Sequence, residues 1–262
     1  MIFVKPISFQ NNKRQTLRGF IHEPRKYTTA VIVLHGFPGH CEGSVPSRLA
    51  LTLAIKGYLT LHFNFSGSDT SEGKFGDKLI SQEVKEIKSA IDFLERTYHF
   101  KRLVIIGHST GAIDAALYAH TDERISKLVL LGAVSKLNEA VRYDFTDKQV
   151  RDFWMNGYVV YKNKDPVGKK WWADGKKLRK TFYDEFFTLN IPAAIKKYKK
   201  PLLIVHGEKD EAIPVGKDPH ELFQMANKPK KLAIINGADH KFTNEKYFKE
   251  LVKVIVEFCE KK

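Results

Sequence analysis

Residues 103–112 read LVIIGHSTGA. Four aliphatic side chains in succession, Leu103 to Ile106, describe a strand buried on both faces, and the run stops abruptly at Gly107-His108-Ser109-Thr110-Gly111. A strand that ends at Gly107 and a helix that opens at Thr110 leave Ser109 at the apex of a sharp turn. The small residues on either side allow that strained backbone and keep side chains two positions away from colliding. The hydroxyl is thereby exposed at the C-terminal edge of a sheet, which is the setting a serine nucleophile needs.

Working outward, five further near-continuous apolar runs repeat the pattern: 30–35 (AVIVLH), 58–63 (YLTLHF), 127–132 (KLVLLG), 201–207 (PLLIVHG) and 231–237 (KLAIING). Strands of this kind belong to a parallel sheet covered by helices. Residues 2–9 and 16–22 instead alternate apolar and polar around Asn11-Asn12 and predict an antiparallel hairpin. Helical spacing fills the intervals, as with Val84, Ile87, Ile91, Leu94 and Tyr98 in 79–98, and Tyr247, Leu251, Val254, Ile255 and Phe258 in 244–260. Alternating strand and helix means an α/β fold with right-handed crossovers. One interval breaks the rhythm: from Ala133 to Lys200 there are about 65 residues, where a crossover needs only about 12. We therefore expect a core of residues 1–133 and 199–262 and an inserted, mostly helical cap of 134–198.

Composition agrees with a globular chain. Of 262 residues, 43% are hydrophobic and 12% aromatic, enough for burial to offset the entropy of ordering. The net charge of +14 comes in short scattered runs such as Lys169-Lys170, Lys176-Lys177 and Lys196-Lys197, without a zinc-finger, helix-turn-helix or single-strand-binding signature. A solvated Lys-rich surface is the reading, with no nucleic-acid partner. Cys41 and Cys259 offer neither a disulfide framework nor a zinc spacing. No apolar run reaches the ~18 residues of a membrane span, and the N-terminus lacks the pattern of a signal peptide, so a soluble, cytoplasmic protein is expected.

A serine hydroxyl attacks only if a base takes its proton, and the base must be oriented by a carboxylate. Among ten histidines, His240 lies in the loop GADHKF just after the last strand, the place of the third member in the order serine, acid, histidine. His35, His62 and His206 end or nearly end strands and serve local hydrogen bonds, while His22, His99, His120 and His220 read as surface residues. Asp210, in HGEKDEAIP after strand 201–206, is the acid, with Glu208 and Glu211 as its rivals and Asp239 as a turn residue. The oxyanion donors are the Thr110 N–H, next to the nucleophile, and the Phe37 N–H in the loop HGFPGH. In the insertion, Trp154 and Tyr158 are the aromatic candidates for a pocket wall.

Five motifs in order, HGFPGH, FNFSGSDTSEGKF, GHSTG, LLIVHGEKDEAIPV and GADHKFTN, resemble the α/β-hydrolase superfamily and most nearly its cinnamoyl- and feruloyl-esterase-like carboxylesterases; the resemblance covers most of residues 20–258. It implies the α/β-hydrolase fold, a mostly parallel eight-stranded sheet with helices on both faces and an inserted cap. It also implies a small-molecule ester as substrate, and carries the family's nucleophile, acid, base and oxyanion donors onto Ser109, Asp210, His240, Phe37 and Thr110. Where that family has Gly-His-Gly, this chain has Gly67-Ser68-Asp69.

Other chemistries fit less well. GSDTSEGKF fails as a phosphate loop because Gly67 and Gly73 are one residue too far apart and Phe75 replaces the required Ser or Thr. No HExxH or comparable spacing of histidine and carboxylate occurs, so neither a metal nor a cofactor is expected. Dehalogenases and epoxide hydrolases of similar sequence carry aspartate at the position of Ser109. A monoacylglycerol lipase, a thioesterase or a small-peptide amidase would use the same triad, and a ligand-binding module could keep the fold without turnover.

Overall fold

The computed structural model describes residues 1–162 and 171–261. The predicted hairpin is present as β1 (Ile2–Gln10) and β2 (Thr16–Pro24), paired antiparallel. The apolar runs form β3 (Thr29–Leu34), β4 (Leu59–Phe63), β5 (Arg102–His108) and β6 (Ile125–Leu131), and after the insertion β9 (Leu202–Gly207) and β10 (Lys230–Ile235). Together they make one eight-stranded sheet in the order β1-β2-β4-β3-β5-β6-β9-β10, in which β2 alone runs against its neighbours.

The double burial inferred from the unbroken apolar runs follows from the two-residue period of a strand. Ile32, Leu34, Leu103, Ile105, Leu128 and Leu130 face one layer, with α2 (Ile80–Thr97), α3 (Thr110–Tyr118) and α8 (Asp218–Met225). Val31, Val33, Val104, Ile106, Val129 and Leu131 face the other, with α1 (Ser44–Ile55) and α9 (Glu245–Glu260). Lys127, the charged residue within the run of β6, is buried too. Its ammonium reaches the carbonyls of Phe258 and Cys259 at 2.7 and 3.1 Å, capping the C-terminal end of α9.

Between β6 and β9 the chain forms α4 (Leu137–Asp144), α5 (Asp147–Asn156), a short antiparallel pair β7 (Tyr158–Val160) and β8 (Lys177–Arg179), α6 (Lys180–Glu185) and α7 (Ile191–Lys197). Thr146 and Gln149 close a reciprocal capping box at the start of α5, and Gly157 ends the helix in the left-handed conformation. α7 returns to the core and lies against α3. Lys169 and Lys170, part of the basic pattern, lie outside the described residues. Among the described residues no helix is long and apolar enough to cross a membrane.

Candidate active site

Ser109 stands between β5 and α3 with φ 58° and ψ −123°, a conformation that costs a non-glycine residue strain and that the surrounding packing must impose. Two things impose it. The Ser109 N–H donates to the Leu131 carbonyl at the end of β6, at 2.9 Å. The strand and helix also meet so closely that a Cβ on Gly107 would lie 2.2 Å from the Gly111 carbonyl oxygen.

His240 and Asp210 are paired as expected, with the imidazole Nδ1–H donating to Asp210 Oδ2 at 2.7 Å. That bond leaves Nε2 as the basic nitrogen. The other Asp210 oxygen accepts the backbone N–H groups of Ala212 and Ile213 at 2.9 and 2.7 Å. Burial would raise the carboxyl's pKa, but the hydrogen bond and charge of His240, with the Ile213 N–H, outweigh it and hold Asp210 below the ordinary carboxylate range. The carboxylate is thus kept ionised to orient the imidazole.

The rivals of Asp210 turn out to hold the loop instead. Glu208 accepts the Gly237 N–H at 2.7 Å and Glu211 accepts the His240 N–H at 3.1 Å. Asp239 closes a turn on the Thr243 N–H at 2.7 Å, as expected of it. The His240 carbonyl accepts from His108 Nε2 at 2.9 Å, so His108 carries its proton there; burial, then the neighbouring His240, pushes its pKa down to about 3. At Gly132, where φ is +54°, a Cβ would lie 2.9 Å from His240 Cε1, and no other residue fits beside that ring.

The loop after β3 passes close to Ser109: a Cβ on Gly36 would be 2.8 Å from Ser109 Cβ. Among the described residues, neither the Phe37 nor the Thr110 N–H donates to a protein acceptor. His35 pins this loop, its Nδ1 donating to the Gly36 carbonyl at 2.8 Å and its Nε2 accepting from the Phe65 N–H at 3.3 Å.

The aromatic candidates fall elsewhere than expected. Trp154 is 67% exposed, with the Lys180 ammonium 4.0 Å from its ring centroid, and Tyr158 lies under Lys177 at 4.1 Å. The rings against Phe37 are Phe182 at 4.6 Å, Tyr161 at 5.6 Å and Phe75 at 5.7 Å between centroids. His22 is another departure. It is buried rather than superficial, its Nε2 2.9 Å from His62 Nε2, and His62 in turn donates to the Cys41 carbonyl at 2.8 Å.

Asp144, at the end of α4, comes near His240 and was not singled out by the sequence. Its side chain is exposed, but crowding by neighbouring atoms raises its carboxyl pKa above the ordinary range, while His240 is near enough to pull it down. Burial and then Asp144 raise the pKa of the Tyr161 phenol. Nothing in the spacing of residue 144 ties it to residue 240; only the return of the insertion over the sheet does.

The sheet order, the elbow at Ser109 and the pair after β9 and β10 define the class: an α/β-hydrolase fold. More particularly, residues 25–247 match the family described as serine aminopeptidase, S33, and the chain belongs to it. A curated relative, the bifunctional esterase/perhydrolase of Acinetobacter calcoaceticus, is 27% identical over 165 residues, spanning 51% of this chain and only 56% of the relative. Among solved structures, Est1E of Butyrivibrio proteoclasticus with ferulic acid bound has a TM-score of 0.78 at 24% identity, over 97% of this chain and 100% of that one. The Pyrococcus furiosus esterase Pf2001 has a TM-score of 0.72 at 21% identity, over 98% and 91%.

Proposed function

We propose that this chain is a serine carboxylesterase acting on small to medium acyl or aryl esters, cinnamoyl and feruloyl types included, through an acyl-enzyme. The observation that carries the reading is the 2.7 Å pairing of His240 with an ionised Asp210 at the sheet edge where Ser109 is strained outward. His240 Nε2 takes the Ser109 proton as Oγ attacks the ester carbonyl. The Phe37 and Thr110 N–H groups receive the oxyanion. His240 returns the proton to the leaving alcohol, then activates water to release the acid and restore Ser109. Est1E, with its ferulic acid, and the Acinetobacter esterase support an ester substrate. Residues 134–198 act in this scheme as the cap, and substrate choice follows from its inner wall.

Fluorophosphonate labelling followed by mass spectrometry should place one adduct on Ser109, and Ser109→Ala should abolish both the adduct and turnover of a panel of acyl and aryl esters. An adduct on another residue, or ester turnover undiminished in Ser109→Ala, would overturn the assignment.

A second reading, a small-peptide amidase, is favoured by the Asp144 carboxyl near His240, which could receive an α-ammonium group, and by the family's description. Aminoacyl anilides turned over faster than the best ester would establish it in place of the first.

A further inference from the structure

Two loops on the β3 and β4 side bring together a set of side chains that the triad does not use. His40 and Glu42 follow the oxyanion loop, and Asp69 comes from the loop after β4. One ligand atom from each lies within 4.8 Å of the others. His40 Nδ1 is buried without a hydrogen-bond partner and stands 3.9 Å from Asp69 Oδ2, too far for a hydrogen bond. The chain carries 44 lysines and arginines, yet among the described residues none forms an ion pair with Glu42 or Asp69. Two carboxylates and an unpaired imidazole nitrogen therefore converge without a cation from the protein.

The arms of this cluster are already braced. Buried Asn64 accepts the Cys41 N–H at 2.7 Å, between His40 and Glu42, and donates to the Thr70 hydroxyl at 3.0 Å, next to Asp69. Zinc bonds of about 2.0–2.2 Å in tetrahedral geometry put neighbouring donors roughly 3.4 Å apart. Side-chain rotations of about an ångström would close the observed separations to that value, with the backbone held by Asn64. One imidazole with two carboxylates suits a first-row divalent ion, Zn2+ foremost, better than Mg2+ or Ca2+, which favour oxygen donors throughout. Partial exposure of all three side chains leaves room for water as the remaining ligand.

The geometry points to a divalent transition-metal site formed by His40 Nδ1 and one carboxylate oxygen each of Glu42 and Asp69, joining the oxyanion loop to the loop after β4. Spacing could not disclose it, because Asp69 lies 27 positions beyond Glu42. The Gly39 N–H donates to the Gly36 carbonyl at 2.8 Å, so a metal on His40 would stiffen the segment that presents Phe37.

The test reads metal binding, so its failure is separate from failure of the esterase reading. Protein stripped with a chelator is titrated with Co2+, whose visible absorption reports coordination, and then with Zn2+ in competition. Wild type should bind one ion per chain, displaced by Zn2+, with a raised melting temperature. Asp69→Asn and Glu42→Gln should each weaken binding at least about tenfold, since removing even an outer-shell partner costs that much. His220→Gln, at an exposed histidine far along the chain, should leave it unchanged. Glu42 is exposed, so its variant keeps the test decisive if Asp69→Asn fails to fold. No coordination spectrum at micromolar to submillimolar metal would overturn the proposal. So would binding that survives Glu42→Gln or disappears with His220→Gln.

Discussion

Asp210 and Glu208 are two residues apart, yet they have different tasks: one carboxylate faces the imidazole, the other a backbone amide. Asp210→Asn should lower ester turnover by about 10³–10⁴ because the imidazole loses its orienting charge, while Glu208→Gln should cost less than about tenfold. Steady-state kinetics with the effects reversed would reassign the acid. Asp144 supplies a second prediction. Crowding shifts the charging of its carboxyl to a higher pH than that of an ordinary carboxylate. Turnover of an ester bearing a free carboxylate, relative to a neutral one, should therefore fall roughly fivefold as pH rises from about 5 to 7.5. In Asp144→Asn the ratio should stay flat; parallel profiles in the two proteins would remove Asp144 from the substrate cleft. The strained turn at Ser109 and the pairing of His240 with Asp210 could be anticipated because each residue follows a strand, and strand ends can be read from apolar runs. Asp144 and the His40 cluster could not, since tertiary packing alone unites residues so distant in sequence. Trp154 was misplaced because a helix turns about 100° per residue: Phe153 is buried while its neighbour points outward.

At the scale of elements, α3, which opens just after Ser109, also carries a buried acid. Its Asp114 is fully buried beside the Glu83 carboxyl of α2, with Lys78 and Glu86 also facing the pair. Burial, then the charge of Glu83, raises the pKa of Asp114 well above the ordinary value. The folded protein thus keeps a proton that the unfolded chain releases near pH 4. Stability from this group is full below that value and declines as pH rises toward the folded pKa. Asp114→Asn mimics the protonated form, so its stability relative to wild type should grow as pH rises from about 4 to 8. Urea denaturation at both pH values measures it, and a difference that shrinks with rising pH would contradict the retained proton. The strands themselves were read correctly from unbroken aliphatic runs. This acidic cluster was not, because Lys78, Glu83, Glu86 and Asp114 look like ordinary solvated charges until two helices and a loop close over them.

For the molecule as a whole, the insertion and the core meet through rings. Phe182, fully buried in α6, stacks on Phe37, while Trp154 faces solvent. Phe182→Ala should destabilise the protein by about 3–5 kcal/mol and lower ester turnover by loosening the Phe37 loop. Trp154→Ala should change stability by less than about 1 kcal/mol. Equal effects of the two on denaturation would mean that the insertion is not coupled to the core through Phe37.

The strands that bracket the insertion, β6 and β9, are direct partners, with Leu128 opposite Leu202 and Leu131 opposite Val205. The two strands are parallel, so the chain leaves at Leu131 and re-enters at Leu202, which pairs with Leu128 three residues back; its two ends are therefore about 11 Å apart, one strand spacing sideways and three residues along. Loop-closure entropy grows only with the logarithm of length, so spanning that gap with 65 residues rather than 12 costs about 1.5 kcal/mol more. The doorway is indifferent to what hangs from it. Segments of very different size and sequence can be exchanged there without disturbing the strand pairing, so a lineage can rebuild one contiguous stretch of gene while the edge of the sheet that holds Ser109 stays as it is.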